Sequence, residues 1–137
     1  MTYRLLEHTA DMGLEAQGGS LAELFSEAAQ ALRELMFGSA AGSDEQTSHL
    51  RVTGQDQGEL LVNWLNEILY LFEVRGIYPV SFTIEGIDAH SVCGLVHGEA
   101  FHPERHAVER VVKAATYHQL LVERDGDAWR ARVYLDL

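Results

Sequence analysis

Apolar and polar positions along the chain change rhythm several times, and each change marks an element. Residues 3–7 and 14–17 read as short strands on either side of a turn, His8-Thr9-Ala10-Asp11-Met12-Gly13. Gly18-Gly19 closes this segment. Ser20 then stands at an N-cap with Glu23 three places on, the pattern of a capping box. Leu21, Leu24, Phe25, Ala28, Leu32, Leu35 and Met36 follow at helical spacing, which predicts an amphipathic helix with Glu27, Gln30, Arg33 and Glu34 facing water. Residues 38–46 are small and polar, and predict a mobile loop. Residues 47–53 predict a strand, with Leu50 and Val52 two apart. Asp56 and Glu59 supply a second cap. The helix they open is more apolar, through Leu60, Leu61, Trp64, Leu65, Ile68, Leu69 and Phe72. Gly76 is its natural left-handed stop, and this helix is the expected centre of the core.

Beyond Gly76 the rhythm is that of strands. Val80, Phe82 and Ile84 alternate, residues 92–101 form a long run containing Gly94 and Gly98, and residues 111–123 form another. Arg124-Asp125-Gly126-Asp127 predicts a hairpin turn. In the last strand Trp129, Ala131, Val133 and Leu135 are expected to face the core, while Arg130, Arg132, Tyr134 and Asp136 point away. The pattern predicts an α+β fold, a two-layer sandwich of mainly antiparallel sheet covered by two main helices. With 137 residues and 47% apolar content, residues 1–137 are expected to make a single domain able to bury a core.

Charge narrows the function classes. Ten Lys and Arg against 21 Asp and Glu leave a formal charge of −11. Such a field repels phosphate backbones, so direct nucleic-acid binding is not expected; divalent cations and basic partner surfaces are attracted. The lone Cys93 excludes an internal disulfide or a cysteine zinc site, and its apolar neighbours Val92, Leu95 and Val96 predict a buried, inert thiol. No signal-peptide core opens the chain and no run approaches the ~18 apolar residues of a membrane span, so a cytoplasmic location and no membrane contact are expected.

The candidate chemistry lies at the two ends. If the first and last strands are neighbours, Asp11, Asp136 and the α-carboxylate of Leu137 converge as hard oxygen ligands. Such a set suits Ca²⁺, Mg²⁺ or Mn²⁺ rather than Zn²⁺. The same residues have plainer readings, Asp11 as a turn-capping Asx interaction and Asp136 as a solvated carboxylate. Lys113, the chain's one lysine, interrupts an apolar run and fits either a strand-edge salt bridge or an anion contact. In an ideal strand Lys113 and Tyr117 share a face and His118 takes the other, so Lys113 and His118 do not form an obvious catalytic pair. His8 and His118 read equally as hydrogen-bonded structural imidazoles. His97, His102 and His106 cluster with Glu99 and Glu104, but residues 102–106 resemble an exposed loop and zinc is not expected there. No phosphate-binding glycine loop, nucleophile elbow or His-Glu-x-x-His element is present.

Taken together, these residues resemble the archease family over nearly the whole chain. The resemblance rests on His8-Thr9-Ala10-Asp11-Met12-Gly13, on Ser20-Leu21-Ala22-Glu23-Leu24-Phe25, and on the run from Leu60 through Asn63-Trp64-Leu65-Asn66-Glu67 to Glu73. Gly98-Glu99, Arg105-His106, Lys113-Ala114, Thr116-Tyr117-His118 and the penultimate Asp136 follow in the family's order. It implies a non-enzymatic accessory protein of an RtcB-type RNA ligase, which helps the ligase become guanylylated again and so turn over in tRNA splicing or RNA repair. By similarity Asp11, Asp136 and Leu137 would hold a divalent metal, with Lys113 acting on the partner and no role assigned to His8 or His118. Gln17, Ala115 and Gln119 depart from the family pattern, which commonly has an aromatic, a valine and a glycine there. Two other classes remain beside this one: a stand-alone metal-dependent phosphoester enzyme using His118 as base, and a chaperone-like modulator of other RNA-processing enzymes.

Overall fold

A computed structural model describes residues 2–7 and 11–137, and of Glu7 and Asp11 the backbone alone. Strands β1 (Thr2–Glu7) and β2 (Asp11–Gly18) pair antiparallel and are followed by helix α1 (Leu21–Phe37). Strand β3 (Gln46–Thr53) leads to helix α2 (Gln57–Arg75). Then come β4 (Ile77–Ile87), β5 (Ser91–Ala100), the two-residue β6 (Ala114–Ala115), β7 (Leu121–Asp125) and β8 (Ala128–Asp136). The fold is α+β with antiparallel pairing throughout, as expected, but the strands divide into two sheets. One runs β1-β2-β8-β6 with β7 also on β8; the other runs β3-β5-β4. Helix α1 packs on β2 of the first and β4 of the second, and α2 on β3, β4, β5, β6 and β7.

Both helices start and stop where the local chemistry dictates. The Ser20 hydroxyl accepts from the Glu23 N–H at 3.1 Å, and the Glu23 carboxylate reaches back to the Gly19 N–H. Asp56 accepts from the Glu59 N–H at 2.8 Å, with Glu59 returning to the Gln55 N–H. Such caps are each worth ~1 kcal/mol because they satisfy amides that have no partner within the helix. Gly76 ends α2 in the left-handed region at φ 68 and ψ 33. As expected of the core's centre, α2 buries Leu60, Leu61, Trp64, Leu65, Ile68 and Leu69. Trp64 joins the layers: its indole N–H donates to the Phe25 carbonyl of α1, and its ring fills the space over Gly94 of β5. A β-carbon at Gly94 would lie 2.6 Å from that ring.

Several expectations are corrected. Arg33, assigned to the water face of α1, is only 6% exposed. Its guanidinium donates to the carbonyls of Pro79, Gly38 and Ala40 and to the Tyr78 hydroxyl. It thereby anchors the 38–46 loop, which Glu45 and Ser43 also tie down through Gly98 and Glu99. Residues 111–123 are not one strand: Ala114–Ala115 form β6, residues 121–123 open β7, and between them the chain turns through Gln119 at φ 49. Asp11 opens β2 and so lies within a strand, not in a turn. Cys93 is half-buried on the outer face of the smaller sheet, because Val92, Gly94 and Val96 are the residues of β5 that face in.

Candidate functional site at the sheet end

In the larger sheet the neighbour of the last strand is the second strand, β2, and not the first. β8 lies between β2 and β6, and its antiparallel register sets Asp136 opposite Asp11 on one side and opposite Ala114 on the other. The Lys113 N–H donates to the Asp136 carbonyl at 2.8 Å. Asp11, Asp136 and Lys113 are thus brought to one end of one sheet. Asp136, Leu137 and Lys113 are exposed there. His8 falls outside the described residues, so its expected proximity to Asp11 is not part of this geometry.

Two residues of β2 and β8 that sequence reasoning passed over shape this end. Tyr134 lies two places before Asp136 and therefore on the same face. Its ring occupies the space above Gly13, where a β-carbon would come within 2.9 Å of the tyrosine edge. Gly13 is therefore small so that a ring from the next strand can lie across it. The exposed His118 packs edge-on against Tyr134 at 5.6 Å between centroids. Its main chain is held by the Thr116 hydroxyl, which in turn donates to the Tyr134 carbonyl. The alternation that separated Lys113 from His118 does not apply, because the chain leaves the strand after Ala115. A glycine facing an aromatic on the neighbouring strand is visible in a sequence only once the register is known.

On its other edge β6 has no neighbouring strand among the described residues. There the Asn66 side chain of α2 accepts from the Ala115 N–H at 2.8 Å and donates to the Ala115 carbonyl at 3.3 Å. Asn66 belongs to the run that carries the family resemblance, but nothing in the sequence pairs it with Ala115.

In the histidine-rich stretch residues 102–105 form the exposed loop expected of them, while His106 departs from it. His97 stands on the outer face of β5 between the Thr47 and Thr83 hydroxyls. His106 is buried, stacked on Tyr78 at 3.9 Å, and accepts the His102 N–H on Nδ1. That leaves Nε2–H facing Glu99 at 3.3 Å. Glu99, 5% exposed, also accepts from the Ser43 N–H and the Arg105 guanidinium. The Ser43 amide above all, with Arg105 and His106, holds its carboxyl below the ordinary glutamate range against the opposing effect of burial. This cluster ties the 38–46 loop to the 101–106 loop. Among residues whose side chains are described, no three His, Cys, Asp or Glu are arranged to hold a metal. Nor is any described helix long and apolar enough to cross a membrane.

These features define an α+β protein of two antiparallel sheets in which the second and last strands bring acidic residues and a lysine to one sheet end. Residues 3–137 match the Archease protein family (MTH1598/TM1083). The chain belongs to the archease family. It is 39% identical to the archease of Methanosarcina acetivorans, over 98% of this chain and 95% of the relative. It is 34% identical to that of Methanopyrus kandleri over the full length of both. Its fold superimposes on the solution structure of Methanobacterium thermoautotrophicum Protein 1598 with a TM-score of 0.84, at 30% identity and 98% coverage of each chain. The crystal structure of a Thermotoga maritima archease, described as a "possible chaperone", shares the fold with a TM-score of 0.66, at 24% identity over 96% of this chain and 94% of that one.

Proposed function

We propose that this archease is an accessory protein of an RtcB-type RNA ligase, acting in the cytoplasm on tRNA splicing or RNA repair. In this reading the sheet end carries the activity: Asp11, Asp136 and the Leu137 carboxylate hold a divalent ion, and Lys113 meets the partner. The observation that supports it is the register that sets Asp11 opposite Asp136, and Asp136 beside the Lys113 amide. Directly opposed positions of an antiparallel pair hold their β-carbons ~5 Å apart, a span that one ion shared by two carboxylates can bridge. An oxygen-only donor set fits Ca²⁺, Mg²⁺ or Mn²⁺. Guanylylation of a ligase by GTP needs a divalent cation on the phosphates, and such an ion, once bound, supplies charge stabilisation for the departing pyrophosphate. The protein's own share is to hold the ligands rigidly at a strand end and to place an ammonium beside them.

The test is multiple-turnover RNA joining with a cognate ligase. Wild type is expected to accelerate turnover at least about tenfold over Asp11→Ala, the loss that removal of one charged interaction of ~1.4 kcal/mol produces. Equal stimulation by both removes the sheet end from the mechanism. A chaperone-like role toward other RNA-processing enzymes is the second reading, favoured by the description of the Thermotoga maritima structure. Affinity capture that recovers those enzymes and no RNA ligase would select it.

A further inference from the structure

β6 is only two residues long, yet it carries the connection to the chain's one lysine. On one edge the segment is fastened to β8: the Lys113 N–H donates to the Asp136 carbonyl at 2.8 Å and the Thr116 N–H to the Tyr134 carbonyl at 3.0 Å. On the other edge a third strand would ordinarily complete the ladder. None is there among the described residues. The Asn66 carboxamide supplies both missing partners at once, an acceptor for the Ala115 N–H and a donor for the Ala115 carbonyl. An amide side chain is the smallest group that can reproduce a strand's donor and acceptor side by side. Ala115 is 5% exposed, so those two backbone groups have little recourse to water.

Asn66 itself sits on α2, whose inner face is part of the core. Leu65 on its N-terminal side is fully buried and Ile68 nearly so, which fixes where its amide points. The clamp therefore transmits the position of α2 to residues 113–115, two places from the lysine and directly across from Asp136. Residues 101–113, which lead into it from β5, belong to no strand; the Glu109 and Arg110 amides on the Met36 carbonyl and the buried Val112 hold that side, and the Asn66 clamp is the side-chain contact made on β6 itself.

We propose that Asn66 is a positioning residue: its carboxamide stands in for a missing strand and holds Lys113 in register with the Asp136 end of the sheet. The proposal rests on the reading of that end as functional for what the lysine is held to do, but the clamp can be measured without it. A clamp that served only the fold would lower global stability and leave local readouts at Lys113 in proportion. A positioning clamp loosens Lys113 selectively.

The full-length chain labelled with ¹³Cε-lysine gives one lysine resonance, which reports on Lys113 alone. With Asn66→Ala, amide exchange at Lys113 is expected to quicken by about tenfold or more, the loss of a hydrogen bond of ordinary net worth. Amides of β5 and of the middle of α1 stay within twofold, and the lysine resonance shifts toward its unfolded position. Ca²⁺ alone, titrated by calorimetry, binds at least about threefold more weakly to this variant. Asn66→Asp keeps the volume and the acceptor for the Ala115 N–H but sets a carboxylate oxygen against the Ala115 carbonyl; it is expected to loosen Lys113 as well, and it decides the matter if Asn66→Ala does not fold. Exchange at Lys113 within twofold of wild type in a folded variant overturns the proposal. So does faster exchange with unchanged Ca²⁺ affinity, which leaves a clamp of the fold alone. If the wild type binds no Ca²⁺, the ion in the proposed function fails, while the exchange and lysine resonance still decide on Asn66.

Discussion

Gln119 is the one described non-glycine residue with a positive φ, at 49°. A side chain in the left-handed region crowds its own carbonyl and costs ~1–2 kcal/mol, and only glycine escapes that cost. By the resemblance glycine is expected there, and the glutamine found instead has a conformational consequence. The Arg132 guanidinium donates to the Gln119 carbonyl at 3.1 Å and helps hold the turn; that contact involves the main chain and survives substitution. Gln119→Gly is therefore expected to stabilise the protein by about 1 kcal/mol, after part of the gain is offset by greater freedom of the unfolded chain. Urea denaturation followed by the fluorescence of Trp64 and Trp129 measures it, and a lower midpoint for the glycine variant would contradict the strain. Arg33 teaches the opposite lesson at the same scale. Its position in the helical pattern assigns it to water, because periodicity registers only which residues are polar. What buries it is a ring of carbonyls from Gly38, Ala40 and Pro79, none of them predictable from side-chain type.

Between elements, legibility followed the range of the interactions. Both helices could be read with their caps, because Ser20–Glu23 and Asp56–Glu59 are contacts within one turn. The alternation of β8 held for the same reason: Ala131, Val133 and Leu135 are buried and Asp136 is exposed. The division into two sheets and the interruption of the 111–123 run depend on pairing between distant segments, and no local pattern encodes it. The Glu99 cluster is the clearest instance. Residues 102–106 carry the composition of a solvated loop, yet stacking on Tyr78 and the Glu99 carboxylate draw His106 inside. This join between two loops has a pH signature. Because the folded-state pKa of Glu99 lies below its unfolded value, the stabilisation is fully present above the unfolded pKa, and it is lost as pH falls through the folded pKa. Stability is thus expected to decline on the acid side, below the ordinary glutamate range near 4.5. Glu99→Gln, which keeps the shape but not the charge, flattens that acid limb and lowers stability at neutral pH. Denaturation midpoints taken from pH 7 to pH 3 compare the two slopes; parallel curves would mean that other carboxylates carry the acid dependence.

For the whole molecule, the question is why a chain with a formal charge of −11 brings Asp11 and Asp136 to directly opposed positions. Like charges facing each other across a strand pair destabilise it by a few tenths of a kcal/mol to ~1 kcal/mol. Such an arrangement survives where something offsets it, and under the proposed function that is a bound cation. A diffuse counter-ion effect and a site make different predictions here. Divalent ions that merely screen the overall charge stabilise any variant of similar net charge alike. A site stabilises by mass action, ~2.7 kcal/mol at an ion concentration one hundred times the dissociation constant, and only while its ligands are intact. Asp136→Asn changes the net charge by a single unit, so its diffuse response to Ca²⁺ is nearly that of the wild type. Without Ca²⁺ it is expected to be slightly more stable, because the opposed pair is relieved. With Ca²⁺ the order reverses, since the wild type gains the site increment and the variant does not. Thermal melts of both proteins, with chelator and across a Ca²⁺ series, read the crossing directly. Curves that rise together, keeping the asparagine variant ahead throughout, would place the stabilising ions on the acidic surface at large and leave the sheet end without a metal.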